Sequence, residues 1–235
     1  MSLVFFDFET TGLNLFQDKI TQYMFLDSDT QTYLSSYVNP ECEIPADIVK
    51  LNGVTWDDLK PYKTFAEQID DIINFLGTER RVYLVAHNGD SFDKAFLLEH
   101  MQKLDIHVPS NWFFMDTLKF ARYFFPDLKK HNMQILRTHF GLSSDHAHLA
   151  TKDVLDLEKI YFYMAKGKTP QEMYQLNKTL SQIMPFGKYK GLPLKSVPEN
   201  YVSFMVQKKI ITLENNYDLF QNIKECYTHP TGIVV

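Results

Sequence analysis

The stretch that decides the fold is Leu3-Val4-Phe5-Phe6-Asp7-Phe8-Glu9, followed by Thr10-Thr11-Gly12-Leu13. The apolar run predicts a buried β-strand, and the polar residues after it predict the turn that leaves the strand. Side chains alternate along a strand, so Asp7 and Glu9 share a face with Leu3 and Phe5. Two acids on one face stand about 6–7 Å apart, near enough to hold one cation between them. The alternative is a strand end whose acids simply emerge into solvent.

Two more acids lie on the apolar stripe of predicted helices rather than on a solvated face. Asp93 shares its stripe with Phe96, Leu97, His100 and Leu104. Asp153 shares its stripe with Leu157, Ile160 and Met164. An acid in the first turn of a helix can also be a favourable interaction with the helix dipole. Because unpaired buried carboxylates are costly, four acids converging on a core edge indicate a bound cation.

The chemistry of these acids favours a hydrolytic metal site. Carboxylate oxygens suit Mg²⁺ or Mn²⁺, and no cluster of cysteines or histidines in the sequence suggests zinc. Two such ions can activate water and stabilise both oxygens in phosphodiester cleavage. His148, five residues before Asp153, has a side chain suited to general-base catalysis.

Three segments together resemble the DnaQ-like (DEDDh) 3′–5′ exonucleases. The first is residues 6–13, the second is Val85-Ala86-His87-Asn88-Gly89-Asp90-Ser91-Phe92-Asp93, and the third is His148-x-Ala150-x-x-Asp153. Residues 116–118 and 51–55 resemble intermediate segments of the family. The resemblance covers residues 1–166 and implies a ribonuclease H-like α/β fold, with a mixed sheet of about five strands flanked by helices.

The resemblance also implies the roles of individual residues. Two divalent ions, Mg²⁺ or Mn²⁺, would be held by Asp7, Glu9, Asp93 and Asp153, and His148 would deprotonate the attacking water. His146 is a rival base, but it precedes Asp153 by seven residues, which does not fit the motif.

Residues that would contact the terminal nucleotide follow from the same resemblance. They are Thr10, Thr11, Gly12, Leu13, Leu51, Asn52, Asn88 and Phe92. The family often has histidine where Asn52 stands, so contacts to sugar or base there are expected to differ. His87 is expected to support its loop rather than to ionise.

The C-terminal part of the chain has a different charge from the rest. The net charge is −5, but residues 166–209 contain eight lysines and two glutamates, a local balance of +6. Residues 184–194 interleave glycines, lysines and aromatics, so Lys188, Tyr189 and Lys190 are candidate nucleic-acid contacts. The alternative is a tight hairpin with solvated lysines and inward-packed aromatics. This segment, with residues 193–194 and 198–201, resembles the small C-terminal module of exodeoxyribonuclease X-like proteins.

The predicted organisation has four parts: an exonuclease domain over 1–166, a linker or helical connection over 167–181, a basic module over 182–227 and a tail over 228–235. Strands are predicted at 3–9, 20–26, 32–38, 81–86 and 113–116. Helices are predicted at 64–76, from a cap at Ser91 through 104, and at 117–125, 132–140, 150–165 and 199–209.

The sequence indicates a cytoplasmic protein with no membrane partner. The two cysteines, Cys42 and Cys226, fit no metal-ligand spacing and are expected to be free thiols, which suits a reducing compartment. The N-terminus lacks the features of a secretory signal, and no segment approaches the roughly 18 apolar residues of a membrane span.

The predicted function is metal-dependent removal of nucleotides from the 3′ end of a nucleic acid, releasing nucleoside 5′-monophosphates. DNA is favoured through the C-terminal resemblance, and a 3′–5′ exoribonuclease is the alternative. A non-catalytic nucleic-acid-binding or scaffold protein that retains the fold is an alternative of another class.

Overall fold

A computed structural model describes residues 1–143, 150–213 and 216–227. Its centre is a five-stranded mixed sheet, which confirms the predicted α/β class. The strands are Ser2–Thr10 (β1), Ile20–Asp27 (β2), Thr32–Tyr37 (β3), Val82–Ala86 (β4) and Trp112–Asp116 (β5). They are ordered β3-β2-β1-β4-β5 across the sheet. The first three form an antiparallel meander, whereas β4 and β5 run parallel to β1.

Helices cover both faces of this sheet and continue into the C-terminal region. They are Ala46–Asn52 (α1), Trp56–Leu59 (α2), Phe65–Leu76 (α3), Asp93–Lys103 (α4), Thr117–Phe124 (α5), Met133–His139 (α6), Ala150–Ala165 (α7), Pro170–Ser181 (α8), Glu199–Gln207 (α9) and Tyr217–Tyr227 (α10). A short 3₁₀ turn lies at Leu194–Ser196. Within the described residues, no helix is long and apolar enough to span a membrane.

The two faces of β1 belong to separate cores, as the alternation of its side chains predicts. Val4, Phe6 and Phe8 pack with α3 and α4. Leu3 and Phe5 pack with α7 on the opposite side of the sheet. Asp7 and Glu9 continue the second series, so they lie on the face that α7 covers.

One predicted helix boundary is wrong. Ser91 does not cap α4; the helix begins at Asp93, and the capping position is Phe92, whose side chain makes no capping hydrogen bond. Asn88 has a positive φ of 61° and turns the chain back, so that the N–H of Lys94 bonds the carbonyl of Gly89 at 2.9 Å. The turn therefore orders the start of the helix without a side-chain cap.

The region after residue 166 contributes to two cores. Met173 of α8 is buried with α7 and β5 in the core of the N-terminal domain. The Asn177 Oδ1 accepts the N–H of Asp116 at 3.0 Å, which fixes α8 to the end of β5. Beyond α8, a separate small core forms the C-terminal module from Met184, Leu194, Val197, Val202, Met205, Ile211 and Ile223. The predicted boundaries at 166 and 182 remain predictions, and residues 228–235 lie outside the described residues.

Candidate active site

Strand β1 extends beyond the end of its parallel neighbour β4, and Asp7 and Glu9 lie in this extension. Pairing with β4 stops at Phe5 opposite Val85, whereas pairing with β2 continues beyond Glu9. Asp7 and Glu9 therefore stand at the edge where β4 has ended, and both are half-buried. Crevices at the carboxyl ends of parallel strands are the usual place for a site in such sheets.

Asp93 lies beside β1 beyond the point where pairing with β4 ends. Its Oδ1 accepts the main-chain N–H of Phe8 at 2.9 Å, and only 1% of the residue is exposed. The carboxylate thus caps a β1 donor that has no strand partner on that side. This contact brings the start of α4 against the β1 acids.

Asp153 reaches the same region from α7, which packs across β1 and β2. It lies in the first turn of that helix. Its Oδ1 is 2.5 Å from Nη2 of Arg137, whose Nε is 2.8 Å from Oδ2 of Asp156. Arg137 is 3% exposed, so a buried cation from α6 stands beside the acids.

The electrostatics show that the four acids form one group. Burial raises the pKa of Asp7 well above its usual range, and the charges of Asp93, Glu9 and Asp153 raise it further. Burial raises the pKa of Glu9 to about 7, with Asp153 adding to the effect. Burial also raises the pKa of Asp93 to about 8, although the bond from Phe8 opposes that rise. Like charges are crowded here, and a cation would relieve the repulsion.

The donor set fits a hard divalent cation, since all four groups offer carboxylate oxygens. Among residues 1–143, 150–213 and 216–227, however, no three acid, histidine or cysteine side chains already stand close enough to form a metal-binding group. Asp153 instead pairs with Arg137. The four acids are therefore close enough to affect one another's pKa values, but their carboxylates do not converge on one metal-binding position.

The turn after β1 is organised by an acid that the sequence did not single out. The Asp18 carboxylate accepts the Thr11 hydroxyl at 3.0 Å and the N–H of Asn14 at 2.7 Å. It also lies where a Cβ on Gly12 would stand, so the tight approach explains the glycine. Leu13 at the tip of this turn is 78% exposed.

The remaining predicted nucleotide contacts lie in two other segments. Leu51 is 56% exposed on α1, and Asn52 uses its Oδ1 to accept the N–H of Val54 at 3.0 Å. Phe92 is half-buried, with its ring 4.9 Å from that of Phe96. In the turn after β1 itself, the Thr10 hydroxyl donates to the carbonyl of Gly12 at 2.6 Å and thereby supports the turn.

Asp116 organises the loop between β4 and α4. It accepts the main-chain N–H groups of Asn88 and Leu118, each at 2.8 Å. Burial raises the pKa of Asp116 to about 6, and the nearby Asp90 adds to the rise. His87 Nδ1 lies 2.9 Å from the Thr117 hydroxyl, and burial lowers its pKa to about 4. His87 is thus neutral near pH 7, in keeping with a supporting role.

The predicted general base lies outside the described residues. His148 and its rival His146 both fall within 144–149. The role of His148 therefore stays a prediction from its offset to Asp153.

The three predicted nucleic-acid contacts in the C-terminal module differ in their exposure to solvent. Lys188 and Lys190 are exposed, whereas the Tyr189 ring is half-buried and 4.8 Å from that of Tyr201 in the core of the module. This packing agrees with the inward-facing alternative for Tyr189. Contact of these three side chains with nucleic acid stays a prediction.

Sequence reasoning missed the charged residues that support the site. Arg137 and Asp18 have no local spacing that links them to the four candidate metal-binding acids. Asp90 stands within the second motif and pairs with Lys94 and Lys119. Both lysines also pair with Asp218, so the network joins three different helices. Only the tertiary fold brings these groups together.

Comparison with known proteins identifies the family. A family model described as "Exonuclease" matches residues 4–161, which is more than half of the chain. A second model, whose description names a quorum-sensing-regulated virulence factor, matches residues 172–210.

Curated relatives include DNA polymerase III PolC-type proteins. The one from Clostridium perfringens is 28% identical over 92% of this chain, and the one from Oceanobacillus iheyensis is 30% identical over 65% of it. The chain spans only 14% and 10% of the length of these two relatives.

Solved structures share the fold at low sequence identity. Exonuclease X in complex with 5′ overhanging duplex DNA has a TM-score of 0.58 at 22% identity, covering 74% of this chain and 99% of that one. The nuclease domain of 3′hExo, a DEDDh family member bound to rAMP, has a TM-score of 0.56 at 19% identity, covering 71% and 92%. The chain belongs to the exonuclease family, and the sheet with its flanking helices forms the domain that this family model covers.

Proposed function

We propose that this protein is a divalent-metal-dependent 3′–5′ exonuclease that releases nucleoside 5′-monophosphates, with DNA as the favoured substrate. The observation that carries the proposal is the electrostatic grouping of Asp7 with Asp93, Glu9 and Asp153. Acids with raised pKa values in a crevice are candidates for a functional site. The family match supports a nuclease.

In this proposal Asp7, Glu9, Asp93 and Asp153 would hold two Mg²⁺ or Mn²⁺ ions. Bound there, the ions supply charge stabilisation and lower the pKa of water. Asp93 is held in place by the N–H of Phe8, so its second oxygen is free of that bond. Full ligation requires the Asp153 carboxylate, whose present partner is Arg137.

His148 is proposed as the general base that takes a proton from the attacking water. An unperturbed imidazole has a pKa close to neutrality, and a positioned base is worth about 10²–10⁴ in rate. His87 is a poor rival because its Nδ1 is engaged by Thr117 and its pKa lies at about 4.

The 3′-terminal nucleotide is proposed to sit against the turn after β1 and the end of α1. Leu13 and Leu51 expose apolar surface that suits contact with a base. The Thr10–Leu13 turn, Asn52, Asn88 and Phe92 would complete this contact.

The preference for DNA rests on the relatives. The curated matches are DNA polymerase III proteins, and exonuclease X is described with duplex DNA. The RNA alternative draws on 3′hExo, which is described as bound to rAMP. A scaffold without turnover is the remaining candidate, and the crowding of ionisable acids argues against it.

The experiment uses 5′-labelled single-stranded DNA and RNA of one sequence, with Mg²⁺, Mn²⁺ or EDTA. We expect shortening from the 3′ end and mononucleotide products only with metal, and faster cleavage of DNA. Asp7→Asn and His148→Ala should each lower the rate at least 100-fold, whereas Asp127→Asn, an exposed acid elsewhere, should not. Activity that survives in both site variants would refute the assignment.

A further inference from the structure

A cavity of about 430 Å³ lies between the exonuclease domain and the C-terminal module. Its domain side comes from the loop after β4 and from α5, and its module side from residues 183–191 and α10. None of the four carboxylates of the candidate active site lines it. Its wall nevertheless includes Asn88 and Ser91, which precede Asp93 by five and two residues. The cavity is therefore separate from the acids but continuous with the loop that leads to them.

An ion-pair network that includes Asp90, Lys119 and Asp218 lies along the cavity wall. Lys94 Nζ lies 2.8 Å from Asp90 Oδ1 and 3.0 Å from Asp218 Oδ1. Lys119 Nζ lies 2.9 Å from Asp218 Oδ2 and also contacts Asp90. Two cations meet two anions in this network, and a third acid, Asp116, also lines the cavity. The network ties α10 to α4 and α5, which fixes the two walls relative to each other.

Two further cations of the cavity wall lie outside this network. Arg122 on α5 and Lys190 in the module line the cavity from opposite sides, and both are exposed. Across the described parts of the chain, neither side chain is within ion-pair distance of an acid. Tyr123, beside Arg122, is 56% exposed and also lines the cavity. Two cations and an exposed aromatic ring that line one cavity suit a phosphate joined to a base.

We propose that this cavity binds one nucleotide of the nucleic-acid strand, outside the nucleotide held at the carboxylates. Arg122 and Lys190 contact its phosphate from the two walls, and Tyr123 stacks on its base. The volume lies within the range of small-molecule sites, about 300–1,000 Å³. The inference rests on the proposed function for the identity of the strand, since an exonuclease must hold the part of the substrate that it is not cutting.

Binding is measured on the full chain in EDTA, which prevents cleavage, by fluorescence anisotropy of a 5′-fluorescein single-stranded DNA 12-mer. Arg122→Gln/Lys190→Gln should weaken binding at least tenfold in 50 mM salt. The salt dependence of its binding should become shallower by about 0.7 in log–log slope, since the two cations neutralise one phosphate and each neutralised phosphate on a single strand contributes about 0.7. Tyr123→Leu should weaken binding roughly five- to tenfold and leave the slope unchanged, because stacking involves no counterion release.

The matched control is Lys159→Gln/Lys208→Gln, which removes the same charge from exposed positions outside the cavity. It should retain nearly wild-type affinity and slope. Equal losses in the two double variants, or wild-type binding by Arg122→Gln/Lys190→Gln, would overturn the proposal. Displacement of the oligonucleotide by millimolar thymidine 5′-monophosphate, lost in the Tyr123→Leu variant, would assign the cavity to free nucleotide and overturn it as well.

The proposed function is tested separately with the p-nitrophenyl ester of thymidine 5′-monophosphate and Mg²⁺. This substrate carries one nucleotide, so its hydrolysis by the wild-type chain reports on the carboxylate site. Failure to hydrolyse both the ester and oligonucleotides, together with the expected binding losses in EDTA, would refute the nuclease and leave the cavity assignment standing.

Discussion

Arg137 Nη2 lies 2.5 Å from Asp153 Oδ1, which joins a buried cation to an acid that we expect to bind metal. The same guanidinium holds Asp156 through Nε at 2.8 Å. Its charge lowers the pKa of Asp7, against the larger effects of burial and the neighbouring acids. In the absence of metal, the Arg137 guanidinium thus offsets part of the repulsion between Asp7 and the neighbouring carboxylates.

Removing that cation should destabilise the protein. In Arg137→Met, Asp156 is left 1% exposed with Lys152 as its remaining ion-pair partner within the described residues. Breaking a buried pair by removing one member costs about 3–5 kcal/mol. Urea denaturation at pH 7 in EDTA measures the loss in the free energy of unfolding. Arg137→Lys should recover part of it, because its single ammonium keeps the charge but cannot hold both acids as the guanidinium does. An unchanged midpoint for Arg137→Met would show that the pair contributes nothing.

Asp93→Asn should stabilise the metal-free protein at alkaline pH. Burial raises the pKa of Asp93 to about 8 from an ordinary 3.8, so the folded state keeps the group neutral where the unfolded chain ionises it. The free energy of unfolding of the wild type therefore falls as pH rises from about 4 to about 8. The loss is roughly 1.4 kcal/mol for each unit by which the folded pKa exceeds the unfolded one. Asparagine cannot ionise, and its Oδ1 still accepts the N–H of Phe8.

Urea midpoints in EDTA at pH 4, 6 and 8 test this. The free energy of unfolding of Asp93→Asn should equal that of the wild type at pH 4 and exceed it by a few kcal/mol at pH 8. Added Mg²⁺ should raise the melting temperature of the wild type but not that of the variant. A variant that is less stable at pH 8 would contradict the raised pKa.

The opposite pH dependence is expected for Asp218. Although burial raises its pKa, the larger combined effect of Lys94 and Lys119 lowers it below the usual range. Asp218 therefore stabilises the fold above its unfolded pKa near 4, and this stabilisation is lost as pH falls towards the folded value. Asp218→Asn should lose about 2–3 kcal/mol at pH 7 and progressively less below pH 4.

Asp57→Asn is the matched control for Asp218→Asn. Asp57 pairs with Lys60 at 2.6 Å, but its side chain is 85% exposed, and exposed pairs contribute little. Equal effects of the two substitutions at pH 7 would mean that the network between α10 and the domain is not a stabilising link.

Alanine substitutions at two glycines of the C-terminal module distinguish the cost of backbone strain from the cost of steric overlap. Gly187 and Gly191 have positive φ values of 76° and 87°. A Cβ at Gly191 meets nothing within 4 Å, whereas at Gly187 it would overlap the Tyr201 hydroxyl. Gly191→Ala should cost about 1 kcal/mol from strain alone. Gly187→Ala should cost more, since the N–H of Lys188 also bonds that hydroxyl at 3.1 Å. Thermal melts of the two variants compare the costs, and equal values would contradict the overlap.

The sequence predicts the elements whose causes are local. The alternation along β1 places Asp7 and Glu9 on the face that α7 covers. Thr64 caps α3 through the N–H of Glu67, close to the predicted start of that helix. The acids of the candidate active site belong to such elements, so the sequence predicts their positions.

What the sequence could not predict depends on contacts between distant segments. The start of α4 is set by the turn at Asn88 and the carbonyl of Gly89 rather than by a cap at Ser91. The pairing of Arg137 with Asp153 joins two helices across 16 residues. The link from Asp218 to Lys119 spans 99 residues. These partners have no periodicity in common.

The most direct test of the central claim is a cleavage ladder from 5′-labelled single-stranded DNA with 5 mM Mg²⁺, run beside EDTA, Asp7→Asn and His148→Ala. The account predicts stepwise loss from the 3′ end in Mg²⁺ alone, with nucleoside 5′-monophosphates as products. Both variants should be at least 100-fold slower while their oligonucleotide binding in EDTA persists. Cleavage that continues in EDTA, or that is undiminished in both variants, would contradict the account.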